Sequence, residues 1–163
     1  MKYGQIRKFD IANGPGIRTT LFVTGCPILC EGCFNKEYQS KDFGDIWTKK
    51  EEDLIMSYLN LEQISGLSVL GGEPLVQDFN LLNLLKRAKK EKPKKDIWLW
   101  SGFCYEDLNE AQRQILEYVD VLVDGPFILK QKDLNLKFRG SKNQRIIDLN
   151  ETRKQGSLVL LKD

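Results

Sequence analysis

Histidine is absent from all 163 residues. That removes Ser–His–Asp triads, Cys–His nucleophiles and every metal site that relies on imidazole. Long apolar runs are lacking as well. None approaches the roughly 20 residues that a helix needs to span a bilayer, so no membrane association is expected. Residues 1–15 contain neither the apolar stretch nor the small-residue cleavage site of a secretory signal. Charge of one sign is not in excess: 25 basic and 23 acidic residues leave a formal net charge of +2, which gives no pull toward nucleic acid. With 41% hydrophobic and 29% charged residues the composition is that of a folded globular chain, and the length suits one domain over residues 1–163.

What is present is cysteine in an unusual arrangement. Cys26, Cys30 and Cys33 stand in the run Gly-Cys-Pro-Ile-Leu-Cys-Glu-Gly-Cys-Phe-Asn, while Cys104 lies far downstream. In a chain without an export signal such spacing reads as metal binding in the reducing cytosol, so a cytoplasmic protein is expected. Soft thiolates select zinc or an iron–sulfur cluster, and on ligand preference alone the two stand about even. A zinc knuckle would borrow Cys104 or a carboxylate as fourth ligand. A cubane cluster on three thiolates would leave one iron open to a small molecule. Gly25 and Gly32 flank the ligands and allow backbone to lie close to a cluster.

Apolar β-rich runs alternate with helical patterns, which predicts repeated β-α units on a mainly parallel sheet. Strands are expected over residues 19–25, 66–70, 96–100, 119–123 and 145–149, with a further one over 157–161. Helices are expected after the capping box Thr48-Lys49-Lys50-Glu51, over residues 78–90 and over 106–117. Each chemically unusual segment directly follows a strand: the cysteine run, Gly71-Gly72-Glu73-Pro74, Ser101-Gly102-Phe103 and Asp124-Gly125-Pro126. In α/β folds ligand sites form at the carboxyl ends of the strands, so these segments predict one site and an enzyme.

The pattern Cys26-x3-Cys30-x2-Cys33 resembles that of the radical S-adenosylmethionine (SAM) superfamily, and Gly71-Gly72-Glu73 resembles its GGE motif. The resemblance implies an incomplete β/α barrel of five or six mainly parallel strands. It also implies a 4Fe-4S cluster on Cys26, Cys30 and Cys33, with the fourth iron left to SAM. Gly71, Gly72 and Glu73 would then receive the amino group of SAM, Ser101 its ribose or carboxylate, and the backbone of Gly32, Cys33 and Phe34 its adenine. Most members carry an aromatic residue just before the third cysteine; here Gly32 stands there and Phe34 follows. Cleaving a sulfonium reductively needs a very low potential, and clusters reach about −700 mV at their lower limit.

Asn13-Gly14-Pro15-Gly16-Ile17-Arg18 narrows the resemblance to activating enzymes of glycyl-radical enzymes. The runs at residues 96–100, 121–125 and 139–144 are similar to the branch that acts on anaerobic ribonucleoside-triphosphate reductase. That branch implies the reductase as protein substrate and a low-potential electron donor such as flavodoxin. An activase of another glycyl-radical enzyme, a small-molecule radical SAM enzyme and a noncatalytic metal module are the alternatives. Arg18 or Arg139 is expected to contact substrate or cofactor. Asp124 reads equally as a site or turn residue, Cys104 as an idle thiol, and Trp98 and Trp100 as core. The basic stretch at residues 86–95 reads as a solvated helix end on the face opposite the site.

Overall fold

The computed structural model describes residues 1–162. Seven strands form one mixed sheet: β1 (Lys2–Asp10), β2 (Ile17–Val23), β3 (Asp45–Ile46), β4 (Ile64–Gly71), β5 (Asp96–Trp100), β6 (Val121–Asp124) and β7 (Arg145–Asp148), in the order β3-β1-β2-β4-β5-β6-β7. Four helices accompany it: α1 (Lys49–Leu59), α2 (Phe79–Glu91), α3 (Glu110–Leu116) and α4 (Leu149–Gln155). The incomplete β/α barrel expected from the sequence is therefore corrected to an open sheet in which only β2, β4, β5 and β6 run parallel. β1 and β7 are antiparallel to their neighbours and carry the sheet outward on both sides.

Connection length explains the departure. Only residues 11–16 separate β1 from β2, and so short a link makes a hairpin, since a parallel crossover needs a dozen or more residues. The long link from β6 to β7 carries no α-helix and returns antiparallel. β1 escaped detection because Lys2, Arg7, Lys8 and Asp10 interrupt its apolar alternation; it lies toward the sheet edge, half-buried or exposed except at Asp10. Residues 106–117 resolve into a 3-10 turn, Tyr105–Asp107, and α3, which is opened by an Asn109/Gln112 capping box. Residues 157–161 make only a bridge, Leu160 to Ile147.

The parallel strands are added in one direction across the sheet, so right-handed crossovers place α1, α2 and α3 on a single face. Alternation along the strands makes this visible in the burial. Leu21, Val23, Leu67, Val69, Ile97 and Leu99 join the helices in the main core, while Trp98, Val121, Val123 and Ile146 form a second cluster with Trp100 and Phe138. One face is thus closed by helices. The other carries the site.

Two ionic constraints brace the sheet. Arg18 is fully buried: its Nη1 lies 2.7 Å from Asp96 Oδ1, its Nε donates to Ser68 Oγ at 2.7 Å, and its Nη2 donates to Leu67 O at 3.1 Å. Arg145 on β7 grips buried Asp124 on β6 (Nε to Oδ1, 2.9 Å) and also Glu106 (Nη2 to Oε2, 2.8 Å). Replacing Arg18 by Met should lower apoprotein stability by about 2–4 kcal/mol, because the carboxylate and carbonyl lose their partner. Urea unfolding with an unchanged slope checks this. The Glu106 carboxyl is held down at about 2, chiefly by its hydrogen bond from Arg145. Its contribution is therefore present above the ordinary value of 4.5 and is lost as pH falls through about 2. Glu106→Gln should cost no more than about 1 kcal/mol at pH 7, the pair being exposed. The gap to wild type should hold from pH 6 to about pH 5 and narrow as urea midpoints are taken further down to about pH 3.

Candidate functional site

Because β2, β4, β5 and β6 point the same way, the segments that follow them meet along one edge of the sheet. They wall a cleft of about 600 Å³, within the range of small-molecule sites. Cys26, Cys30 and Cys33 line it, as do Gly72, Glu73, Ser101, Gly102 and Gly125. Phe22, Leu70 and Trp100 form its floor from the uncovered face of the sheet, and residues of the β6–β7 link close one side.

The cysteine loop is set in place by backbone. Gly25 N donates to Tyr38 O at 2.9 Å and Cys26 N to Gln39 O at 3.0 Å, while Gly72 N donates to Val23 O at 2.7 Å and Glu73 N to Gly25 O at 2.8 Å. The approach is so close that side chains are excluded. A Cβ on Gly72 would stand 2.6 Å from Gly25 O and 2.7 Å from Tyr38 O, and Gly71 has a φ of +117° with Val23 O 2.4 Å from a Cβ position. These two glycines therefore serve the splice between the β2 and β4 ends, besides any contact with a ligand.

The three thiols are free and half-buried. Burial pushes the Cys26 thiol up; backbone hydrogen bonds from Ile28 and Leu29 act against this, and the nearby Glu73 and Cys30 add to it. Among the described residues no group of three His, Cys, Asp or Glu side chains is arranged to hold a single metal ion. A cubane asks for a different arrangement, with each thiolate on its own iron. Three thiols around a roomy cleft, with backbone N–H groups aimed at one sulfur, fit an iron–sulfur group, whose potential such contacts tune.

Glu73 is almost fully buried at the cleft wall. Its Oε1 accepts from Leu75 N at 3.0 Å and its Oε2 from Gly102 N at 2.8 Å, and Ser101 adds a side-chain hydrogen bond. Burial raises its pKa, with these hydrogen bonds opposing the rise. A carboxylate offers about four acceptor positions, so room for one cationic donor remains. Ser101 is buried, and its Oγ also accepts from Phe103 N at 3.1 Å. Gly32 has a φ of +71°, and a Cβ there would meet Leu129 Cδ1 at 2.9 Å, so an aromatic side chain at this position would need Leu129 to move. The neighbouring aromatic, Phe34, is exposed at the cleft and packs on Phe127 with ring centroids 5.0 Å apart.

Other expectations sort themselves by position. Arg18 holds the sheet and does not reach the cleft, whereas Arg139 lines it. Asp124 is a bracing residue, bonded to Arg145 and to Tyr105 N at 2.8 Å. Cys104 is not among the lining residues. Trp98 is core, but Trp100 borders the cleft, its Nε1 donating to Phe138 O at 2.7 Å. Asn13, Arg7, Phe22, Phe127 and Phe138 line the cleft without having been singled out. Only Asn13 carried a signal, its place at the head of the Asn-Gly-Pro-Gly run.

Residues 12–147 match the family described as a 4Fe-4S single cluster domain. The chain is similar to the anaerobic ribonucleoside-triphosphate reductase-activating protein of Vibrio cholerae serotype O1, 46% identical over 151 residues that cover 90% of this chain and 97% of that protein. The protein of the same name from Escherichia coli strain K12 is 45% identical over 150 residues, 88% and 96% of the two chains. That of Enterobacteria phage T4 is 41% identical over 150 residues, 90% and 93% of the two.

Gly72→Ala tests the backbone splice. The added methyl meets two backbone oxygens that cannot swing aside, so apoprotein stability should fall by about 1–3 kcal/mol. Iron retained after anaerobic reconstitution should fall well below the wild-type amount. Wild-type values in both measurements would show that the contact is not needed.

Proposed function

The chain belongs to the family of anaerobic ribonucleoside-triphosphate reductase-activating proteins and contains a 4Fe-4S single cluster domain, and on that footing we propose that it installs a glycyl radical on such a reductase by reductive cleavage of SAM. In this reading Cys26, Cys30 and Cys33 would hold the cluster, with one iron left to SAM. A cluster held there would supply the single electron for reductive cleavage of SAM, to methionine and a 5′-deoxyadenosyl radical able to take a hydrogen atom from a glycine Cα of the reductase. A low-potential donor such as flavodoxin supplies that electron. The reading places the protein in the cytoplasm; no helix among the described residues is long and apolar enough to cross a membrane.

The chain's own residues hold, orient and exclude water. Glu73 offers its remaining acceptor position to the ammonium of SAM, and the backbone of Gly71 and Gly72 lies beside it. Ser101 faces the ribose or carboxylate, and the backbone from Gly32 to Phe34 faces adenine. Phe22, Leu70, Trp100 and Phe138 give the cleft apolar walls, which keep solvent hydrogen away from a reactive radical. At the end bordered by Ala12, the Asn13 Nδ2 is fixed by Asp10 Oδ2 at 2.6 Å, leaving the Asn13 amide oxygen for a backbone N–H of the glycine-bearing segment. No proton transfer is required of a side chain, in keeping with a chain that lacks histidine.

The observation that carries this reading is the convergence of three thiols and one buried carboxylate on a single cleft. Anaerobically reconstituted protein mixed with the reductase, SAM and reductant should release methionine and give a glycyl doublet by EPR. Cys30→Ala should abolish both. Methionine release without the doublet would reject the reductase as target, and a colourless protein holding zinc would reject the cluster.

A further inference from the structure

Reductive cleavage consumes an electron, so a carrier protein must reach the loop that holds the cluster. Two basic stretches compete for that role. Residues 86–95 lie at the end of α2 and lead into β5, at the sheet edge opposite the cleft. Several of these cations are already engaged: Lys89 with Asp120 at 2.5 Å, Arg87 with Glu52 at 2.9 Å, and Lys95 with the carbonyls of Leu61 and Ile64.

The other stretch is residues 129–142, in which Lys130, Lys132, Lys137, Arg139 and Lys142 face a single acidic residue, Asp133. It forms a strap. Lys132 bridges Ser141, Lys142 N donates to Gln131 O at 3.0 Å, and Asp133 N donates to Gly140 O at 3.2 Å. Half-buried Leu136 and Phe138 of the strap line the cleft and Leu134 borders it while exposed; Lys130, Lys132, Lys137 and Lys142 are exposed, Lys142 lying 3.8 Å from Asp133. The strap also rests on the cysteine loop on both sides of Cys33. Leu129 crowds Gly32, and Lys132 Nζ lies 5.1 Å from the Phe34 ring. On the facing loop, exposed Glu31, Glu37 and Asp42 outnumber Lys36 and Lys41, so the excess of positive charge lies on the strap.

We propose that the outer surface of this strap docks an acidic one-electron carrier, a protein with carboxylates around its redox group, so that the electron enters at the Cys33–Phe34 edge. The carrier loses one electron and the cluster gains it, with no bond made or broken at that step. Redox encounters of this kind bury little area and depend on charge steering. Docking here leaves the cleft mouth to the reductase. The proposal rests on the function proposed above.

The test uses flavodoxin, an acidic flavoprotein, as probe. Lys130→Glu/Lys137→Glu is compared with Lys90→Glu/Lys94→Glu, which reverses exposed charges on the other stretch. Binding to the apoprotein is measured by calorimetry, and methionine release by the holoprotein is driven either by reduced flavodoxin or by dithionite. The strap variant should bind flavodoxin at least about tenfold more weakly and use it correspondingly slowly, a gap that closes as salt is raised. Its dithionite-driven release and the behaviour of the other variant should match wild type. Wild-type flavodoxin binding by the strap variant, no salt-sensitive binding by wild type, or equal losses from both variants would overturn the proposal. A strap variant with unchanged flavodoxin binding but a raised KM for the reductase under dithionite would assign the strap to the reductase instead. If wild type cleaves no SAM even with dithionite, the proposed function fails, and the apoprotein titration still decides the docking surface.

Discussion

The structure depends on one backbone contact, the lashing of residues 72–73 to residues 23–25. Gly72 N to Val23 O and Glu73 N to Gly25 O join the ends of β4 and β2 by hydrogen bonds of 2.7 and 2.8 Å. Everything chemical then follows from it. The contact brings the first thiol beside the buried carboxylate, which is why Glu73 contributes to the rise of the Cys26 thiol. It also fixes Glu73 so that its two oxygens reach across to Leu75 N and Gly102 N and bind the next strand end into the same wall. A side chain at residue 72 would separate these groups, so the double glycine is a packing requirement before it is a recognition motif.

Above this contact the topology decides what remains accessible. Strands added in one direction with right-handed crossovers gather the helices on one face. The opposite face is left with aromatic residues and the cleft. A doubly wound sheet would have covered both faces. The antiparallel strands β1 and β7 widen the platform, and the ionic grip of Arg145 on Asp124 holds the last strand to it.

The parallel strands and the site segments at their ends were legible in the sequence because their signals are local. A β-rich run followed by Gly-Gly-Glu or by closely spaced cysteines needs no knowledge of the rest of the chain. The open form of the sheet was not legible. β1 has too little apolar alternation to stand out, since it lies near an edge and its Arg7, Lys8 and Phe9 are exposed. Strand direction at β7 depends on a long link without helical periodicity. The bracing role of Arg18 was not legible, because its partners Asp96, Ser68 and Leu67 lie 49–78 positions away in sequence. Phe22 and Trp100 could not be assigned to the cleft from sequence, because large apolar residues stand on both faces at these strand ends, Leu21 and Val23 against Phe22 and Leu99 against Trp100, and nothing local tells which face the helices cover.

The cysteines take no part in the hydrophobic core. Leu21, Ile55, Leu84, Leu99 and Leu122 are fully buried on the helical side of the sheet, whereas all four thiols stay partly exposed. In a zinc finger the metal and the fold stand or fall together. Here the apolar core is built without sulfur, and the cysteine loop hangs from it by main-chain hydrogen bonds. The loop therefore answers to the cleft and the sheet to its leucines, so the depth and spacing of the thiols are free of the demands of core packing.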